Sequence, residues 1–418
     1  MSKRMKGEMI MIGIVLALAV MILPGLALSA AKEPIRIGFI TPVSGTFAAD
    51  GEFMRNGFSM YLEKINYEVA GRKIEVIDED DKADPRTGLI KAQRLVEEKK
   101  VHMVAGVMAS NVAYALRDYV VGHKIPLIIT NAGADGLTQG DFSPYIFRSS
   151  FSNSEAGHPF GDWAYKKGVR RLTILTSDYS AGYEHIGGAC RTFKDAGGEI
   201  VDEIYAPLGC IDFAPYLSTI SADKTDGVLC FLAGVDSLNA IKQFAQYGLK
   251  GKVALYSLGS LMEHLLPEMG DAPLGDVDCH QYMPSLNLTT KTHLEFVNTF
   301  KKKYNRPVNF VCEGSYVGAQ LIVKALESIQ GNVEDTNAFM KAMETVNIEA
   351  PRGPVRLDQY HNPVQNEYIS VLKKKGNEYT YEIMETIPNV SQFWKWTPEE
   401  FMKMPAYKDM KGKWATRK

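Results

Sequence analysis

The stretch VAGVMASNVAYALRDYVVGHKIPLIITNAGAD, residues 104–135, decides the fold. It begins with an apolar strand that runs into the turn Gly106-Val107-Met108-Ala109-Ser110, and the apolar spacing after that turn predicts a helix over 111–121. A second apolar strand is predicted over 125–130, and it ends in the small residues 131–134. Strand, helix and strand in this order predict neighbouring parallel strands of a doubly wound sheet.

The two turns of this stretch predict a ligand site. Ligands of doubly wound sheets lie outside the carboxyl ends of the strands, which is where both turns are expected. The turns offer backbone N–H groups and the Ser110 hydroxyl, and the dipole of the following helix favours an anionic group. Each residue also has a structural interpretation, because Ser110 fits a helix cap and small residues fit a tight turn.

The N-terminus predicts a secretory signal peptide over residues 1–30. Lys3, Arg4 and Lys6 precede an apolar run over 9–23, and small residues follow it. This run is shorter than the about 20 apolar residues that a membrane-spanning helix needs. A cleaved signal is therefore favoured over a membrane anchor, and the mature protein is expected outside the cytoplasm.

Composition narrows the class of protein. The 418 residues carry a formal net charge of −2, whereas a nucleic-acid binder is expected to be basic, so no nucleic-acid partner is predicted. The length exceeds what a single core usually spans and predicts two lobes. The five cysteines are widely spaced without a C-x-x-C pair, which argues against a zinc site. Most of the five thiols are expected to be buried, and the sequence leaves open whether two of them form a disulfide.

Alternating strand and helix patterns extend in both directions from the opening stretch. A strand over 35–40, a helix from about residue 51 and a helix starting at Asp84-Pro85 precede it. After a crossover near 145–148 the alternation starts again and continues to residue 256. Such alternation predicts an α/β protein of two doubly wound parallel-sheet lobes joined by a hinge of several crossovers.

The predicted lobes are discontinuous in sequence. An apolar segment at 277–283 is expected to return the chain to the first lobe, which helices over 294–304 and 316–329 complete. Strand patterns between 355 and 387 then cross to the second lobe. The resulting limits are 34–149 plus 282–355 for lobe 1, 150–281 plus 356–405 for lobe 2, and 406–418 for a C-terminal tail.

The common catalytic motifs are missing from the sequence. It contains no phosphate-binding loop, no G-x-G-x-x-G after a predicted strand, no G-x-S-x-G and no H-E-x-x-H. Eight histidines are scattered without metal-ligand spacing, and the acidic cluster over 78–81 fits a solvated strand end better than a metal site. A binding protein is predicted rather than an enzyme, with no cofactor and no metal.

Segments spread along almost the whole mature chain resemble one family. They are IRIGFITPVSGTFAADGEFMRNGF, DEDDKADPRTGLIKAQRLVEE, GVMASNV, TNAGADGLTQGDFSPYIFRSS, TSDYSAGYE, CIDFAPYLSTISADKTDGVLCFLAG and VSQFW. Together they resemble the solute-binding proteins of ABC importers in the leucine/isoleucine/valine-binding family, with a type I periplasmic-binding fold. The resemblance implies a monomeric periplasmic receptor that closes two lobes on a small solute and delivers it to a membrane permease.

The resemblance also implies which residues contact the solute. In this family the solute lies between the lobes, and the corresponding positions here are Phe47, Asp50, Met108, Ala109, Ser110, Asn131, Ala132, Gly133, Ala134, Tyr179, Asp236 and Gly259. The alternative to a transporter subunit is a periplasmic ligand sensor of the same fold that docks on a signalling protein.

Three positions depart from the pattern of amino-acid binders in this family. Ala134 stands where a Thr or Ser is usual, Val235 where a Tyr is usual, and Leu258 or Gly259 where an acidic partner of the α-ammonium is usual. Asp236 is the candidate replacement for that acid. The segments NAGAD and SPYIFRSS are similar to members that take aromatic carboxylates or amide-like solutes. A small amino acid and an aromatic carboxylate or amide therefore both remain candidate solutes.

Overall fold

The computed structural model describes residues 32–286 and 288–416, so the predicted signal peptide over 1–30 lies outside the described residues. The strands are β1 Ile35–Ile40, β2 Glu68–Val69, β3 Arg72–Glu79, β4 Met103–Gly106, β5 Leu127–Ile129, β6 Ile146–Arg148, β7 Arg171–Ser177, β8 Glu199–Ala206, β9 Gly227–Phe231, β10 Ala254–Ser257, β11 Val277–His280, β12 Asn347–Ala350, β13 Gly353–Leu357, β14 Pro363–Lys375 and β15 Glu378–Val390.

The helices alternate with these strands along most of the chain. They are α1 Ala48–Lys64, α2 Pro85–Gln93, α3 Ser110–Gly122, α4 Gly157–Lys166, α5 Ser180–Asp195, α6 Ala214–Leu217, α7 Val235–Gln246, α8 Leu266–Met269, α9 Lys291–Tyr304, α10 Phe310–Ser328, α11 Thr336–Thr345 and α12 Pro398–Phe401. Within the described ranges, none of them has the length and apolar character that crossing a bilayer requires.

Two sheets form the cores of two lobes, as predicted. The first has the order β2-β3-β1-β4-β5-β6, with parallel pairing from β3 through β6. The second has the order β12-β13-β14-β11-β10-β9-β7-β8, with β15 paired to β14. Its strands β8, β7, β9, β10 and β11 are parallel, and β14 runs antiparallel to β11. The predicted α/β class with two doubly wound lobes is confirmed, although the second sheet is mixed.

The opening stretch folds as the predicted βαβ unit. Buried β4 leads into α3, and α3 leads back to buried β5, which pairs parallel to β4. The predicted start of α2 is also confirmed, because Asp84 Oδ1 accepts the Thr87 N–H at 2.7 Å and Pro85 occupies the first turn. Local patterns therefore located these elements to within a few residues.

The crossovers between the sheets follow the predicted order. The chain leaves the first sheet after β6, leaves the second after β11, and returns to the second at β12. Helix α11 and strand β12 were not anticipated. Because β12 and β13 pair with each other and join β14, residues 347–357 belong to the second sheet. We therefore propose to end the second segment of lobe 1 before residue 347 rather than at 355.

The C-terminal segment packs on the second lobe instead of extending into solvent. Tyr407 and Trp414 are buried, and the Tyr407 hydroxyl lies 2.9 Å from His158 Nε2 on α4. Lys194 on α5 donates to the Trp414 carbonyl at 2.7 Å. We propose that the residues expected to form a tail, 406–416, are part of lobe 2.

All five cysteines are free and buried. Cys190 lies on α5, and Cys230 and Cys279 lie on strands of the second sheet. Burial raises the pKa of the Cys230 thiol above its usual range, which disfavours the reactive thiolate. The five thiols act as small buried apolar side chains.

Candidate functional site

A narrow cavity, with about 30 Å³ of space for the centres of water-sized molecules, lies between the lobes at the carboxyl ends of both sheets. Its lining residues are Phe47, Met108, Ser110, Asn131, Gly133, Phe151, Asn153, Tyr179, Ala181, His185, Phe231, Ala233, Gly234, Gly259, Met262, His280 and Phe310. The lining contains no Asp, Glu, Lys or Arg, so only its two histidines, His185 and His280, could carry a charge at neutral pH.

Seven of the twelve residues predicted to contact a solute line this cavity: Phe47, Met108, Ser110, Asn131, Gly133, Tyr179 and Gly259. The other five lie behind the wall. The Ala132 N–H donates to the Val107 carbonyl at 3.0 Å, the Ala109 carbonyl accepts from Ala113 in α3, and the Ala134 carbonyl accepts from buried Arg148. These backbone bonds hold the two turns in shape.

The two predicted acids also lie outside the lining. Asp236 accepts the Gly209 N–H at 2.9 Å, and Asp50 lies 3.4 Å from Asn309 Nδ2 and 3.7 Å from His264 Nε2. Burial raises the pKa of Asp50 to about 7 and that of Asp236 to about 6. Both carboxyls accept hydrogen bonds from residues outside the lining. Burial raises the pKa of the lining residue Tyr179, and the negative charges of both carboxyls raise it further.

One wall of the cavity is built from Ser110, Gly133 and Asn153. Asn153 Nδ2 donates to Ser110 Oγ at 3.1 Å, which leaves the Ser110 hydroxyl hydrogen available to another acceptor. The Asn153 backbone N–H donates to the Gly133 carbonyl at 2.8 Å. A Cβ at position 133 would lie 2.1 Å from Asn153 Oδ1, so only glycine allows this approach.

The lobes are joined across this wall by a buried polar network. The Tyr114 hydroxyl on α3 of lobe 1 donates to Glu184 Oε1 on α5 of lobe 2 at 2.6 Å. Asn153 Nδ2 donates to the other oxygen of Glu184 at 2.6 Å. Burial raises the pKa of Glu184 to about 8. Since these bonds link one lobe to the other, they stabilise the closed arrangement of the lobes.

Four helices point their N-termini at the cavity. Ser110 begins α3, Ala181 lies in the first turn of α5, Gly234 caps α7, and Phe310 begins α10. Each of these helices is at least 12 residues long. Free backbone N–H groups and the positive ends of the helix dipoles therefore converge on an uncharged cavity, an arrangement that favours an anion.

The remaining walls are aromatic. Phe151 lies edge-on to both His280 and Phe310, with ring centroids 5.2 and 6.1 Å away. His185 stacks on Phe231 with their centroids 3.7 Å apart and their planes 14° from parallel. Such surfaces accept a planar apolar group by offset stacking or edge contacts.

Several lining residues were not predicted from the sequence. Phe151 and Asn153 directly follow β6, so the rule that placed the turns after β4 and β5 at the site also applied to them. Phe310 was missed because the predicted helix began at residue 316, one and a half turns too late. His185 and His280 had no local signal, because only the folded lobes bring α5 and β11 together.

The described residues contain no group of three or more His, Cys, Asp or Glu side chains able to hold a metal ion. The acidic cluster over 78–81 instead takes part in loop structure. Asp80 Oδ1 accepts the Val43 and Lys82 N–H groups at 3.1 and 2.9 Å, and Asp81 Oδ1 accepts that of Ala83 at 2.9 Å.

Two α/β lobes with an enclosed cavity at their strand ends define a solute receptor of the two-lobed kind. A family model described as periplasmic binding protein matches residues 34–377, and the chain belongs to that family. It is a family of ABC transporter solute-binding proteins, which are not enzymes.

Known relatives cover most of the chain. A Leu/Ile/Val-binding protein homolog from Brucella melitensis is 31% identical over 380 residues, which are 88% of this chain and 96% of the relative. An ABC transporter substrate-binding protein from Sphaerobacter thermophilus is 34% identical, with a TM-score of 0.81 over 86% of this chain and 99% of its own. A solute-binding protein from Rhodopseudomonas palustris BisB5, whose structure was solved with 3,4-dihydroxybenzoic acid, is 34% identical. Its TM-score is 0.82, and the match covers 86% of this chain and 98% of the relative.

Proposed function

We propose that the protein is the periplasmic receptor of an ABC importer, and that it captures a single-ring aromatic carboxylate between its lobes and delivers it to a membrane permease. The convergence of four helix N-termini on a cavity without charged lining residues carries this proposal. A carboxylate gains hydrogen bonds and favourable dipole interactions there without meeting a buried negative charge.

The Ser110 hydroxyl is the side-chain donor best placed for that carboxylate. Asn153 Nδ2 donates a hydrogen bond to Ser110 Oγ, so the hydrogen of the Ser110 hydroxyl points away from Asn153. The helix N-terminus at Ser110 adds backbone N–H groups on the same side of the cavity. A hydrogen bond to a charged group contributes about 1.5–3 kcal/mol.

An α-ammonium has no comparable partner in the cavity. Asp50, Asp236 and Glu184 all act electrostatically on the lining residue Tyr179, but none of them lines the cavity and each accepts a hydrogen bond from a neighbouring protein group. Burial raises the pKa of all three carboxyls, to about 7 for Asp50, about 6 for Asp236 and about 8 for Glu184, which disfavours the ionised form that an ammonium requires, most strongly at Glu184. An amino-acid zwitterion would bury its positive charge unpaired, which is costly.

The aromatic lining supports a ring as the apolar part of the solute. Phe151, Phe231 and Phe310 line the cavity and offer aromatic surfaces against which a ring can pack. The complex of the Rhodopseudomonas relative with 3,4-dihydroxybenzoic acid supports the same class of solute. The predicted signal peptide and the family support a periplasmic location and a permease partner.

A thermal-shift screen of the signal-free protein tests the proposal. Benzoate, benzamide, benzylamine and L-leucine separate a carboxylate requirement from an aromatic or an ammonium requirement. At one hundred times its Kd a ligand adds about 2.7 kcal/mol of stability, so only true ligands raise the Tm by several degrees. We expect a rise with benzoate and none with benzylamine or L-leucine. A rise with L-leucine alone would overturn the proposal.

A further inference from the structure

The cavity contains a pair of imidazoles that the proposed carboxylate site does not use. His185 lies on α5 and His280 at the end of β11, and each is only 3% exposed. Phe151 lies between them, with its ring centroid 5.9 Å from His185 and 5.2 Å from His280. A pair of buried polar rings in an otherwise apolar wall needs a chemical explanation.

Backbone contacts fix which ring nitrogen of each histidine carries the hydrogen. His185 Nδ1 lies 2.8 Å from the Ala181 carbonyl, and His280 Nδ1 lies 3.3 Å from the Tyr282 carbonyl. A carbonyl oxygen only accepts, so both Nδ1 atoms must be donors. Burial lowers the pKa of each histidine to about 3, so both rings are neutral at physiological pH. Each Nε2 is consequently an unprotonated acceptor.

Both Nε2 atoms are free to bind a solute. No hydrogen-bond partner of either atom occurs among residues 32–286 and 288–416. His280 Nε2 borders the cavity, because a Cβ added to the lining residue Gly259 would lie 2.9 Å from it. The ring of His185 is held against the lining residue Phe231. The two imidazoles therefore add acceptors to the lining of the cavity, whereas Ser110 adds a donor.

We propose that His185 and His280 form a hydroxyl-recognition pair, and that the solute is a benzoate with a hydroxyl group on the ring at the meta or para position. The inference rests on the proposed function, since it assigns the carboxylate to the Ser110 wall. A phenolic hydroxyl donates one hydrogen bond, which an Nε2 atom accepts. Unsubstituted and methylated benzoates leave these acceptors buried and unpaired, and that loss provides the discrimination.

Isothermal titration with matched ligands and variants tests the pair. 3- and 4-Hydroxybenzoate are compared with 3- and 4-methylbenzoate, because a methyl group has nearly the size of a hydroxyl but donates nothing. We expect the wild-type protein to bind a hydroxybenzoate at least ten-fold more tightly than the corresponding methylbenzoate.

The variant H185N/H280N removes both acceptors, while each Asn amide can still donate to the carbonyl that Nδ1 contacts. We expect this variant to reduce the preference for hydroxybenzoates over the corresponding methylbenzoates to less than three-fold. H185Q/H280Q, which can return an oxygen near each Nε2 position, should restore part of the preference. H123N is the matched control, since His123 Nδ1 contacts the Tyr119 carbonyl four residues earlier at 2.8 Å, outside the cavity.

The outcomes separate the two proposals. Equal wild-type binding of hydroxy- and methylbenzoates would overturn the recognition pair and leave the aromatic-carboxylate receptor standing. A preference that survives in H185N/H280N would also overturn the pair and would point to Asn131 Oδ1, the other buried acceptor of the lining without a partner in the described chain. Binding of none of these carboxylates would overturn the proposed function and the pair with it.

Discussion

The Tyr114 hydroxyl donates a hydrogen bond of 2.6 Å to Glu184, and the two residues belong to opposite lobes. This bond joins the two lobes, and Asn153 connects it to Ser110 through hydrogen bonds of 2.6 and 3.1 Å. Solute recognition and lobe closure therefore share one polar network. Because a ligand favours the state in which it makes more contacts, binding at Ser110 should stabilise the closed form.

Removing the Tyr114 hydroxyl should weaken solute binding by shifting the lobes toward the open form. We expect Tyr114→Phe to cost about 1–2 kcal/mol of binding free energy, because a buried carboxyl loses its partner. Isothermal titration measures the loss, and small-angle scattering of the ligand-free protein measures the opening. Tyr119→Phe is the control, since Tyr119 lies on the same helix and bonds Glu97 within lobe 1 at 2.9 Å. Equal affinities of the two variants would contradict a role for the cross-lobe bond.

Ser110→Ala should lower the affinity for an aromatic carboxylate by about 1.5–3 kcal/mol, through loss of a hydrogen bond to a charged group. Titration calorimetry with benzoate provides the measurement. Ser218→Ala serves as the control, because the exposed Ser218 hydroxyl donates to the Pro215 carbonyl at 3.1 Å, away from the cavity. Wild-type affinity in Ser110→Ala would remove this residue from the solute site.

Gly234→Ala should prevent full closure. A Cβ at this position would lie 2.6 Å from the Thr46 carbonyl in the opposite lobe, so the lobes must separate to accept it. We expect at least a ten-fold loss of affinity and a smaller ligand-induced compaction in solution scattering. Gly209→Ala is matched, because Gly209 also has a positive φ, of 84°, but its Cβ would be 3.7 Å from the nearest Thr46 atom. An equal loss in both variants would attribute the effect to backbone strain instead of closure.

Stability should fall as the pH rises, because several buried carboxyls bind a proton more tightly in the folded state. Burial raises the pKa of Glu263 to about 8, and its Oε2 has no hydrogen-bond partner in the described structure. A raised pKa means that this stabilisation is complete below the unfolded value of about 4.5 and is lost as the pH rises through about 8. Calorimetry should show the Tm decreasing between pH 6 and pH 9.

Glu263→Gln should make that decrease smaller, since the variant has no proton to lose at this position. The exposed Glu268, on the same segment, supplies the control variant Glu268→Gln, which should follow the wild-type profile. A Tm that increases over this pH range, or an identical pH dependence in Glu263→Gln, would show that Glu263 does not control the effect.

Features encoded locally could be predicted from the sequence, and features created by folding could not. The periodicity after residue 104 located β4, α3 and β5, and the rule for strand ends placed Ser110 and Gly133 at the cavity. The bond between Tyr114 and Glu184 joins positions 70 residues apart, and no local pattern specifies such a pair.

The histidines illustrate the same limit. His185 lies on a helix face and His280 at a strand end, and in sequence each is one of eight scattered histidines. Their roles depend on burial and on the carbonyls of Ala181 and Tyr282, which only the three-dimensional structure reveals. Asp236 shows the opposite error. The sequence predicted that this acid contacts the solute, but it lies outside the lining and accepts the Gly209 N–H.

A crystal structure of the protein grown with 4-bromobenzoate would show the orientation of the solute in the cavity, since anomalous scattering from bromine marks the end of the ring opposite the carboxylate. We expect the carboxylate within hydrogen-bond distance of Ser110 Oγ and the bromine on the side of His185 and His280. A reversed orientation, or no bromine peak in the cavity at a saturating concentration, would contradict this expectation.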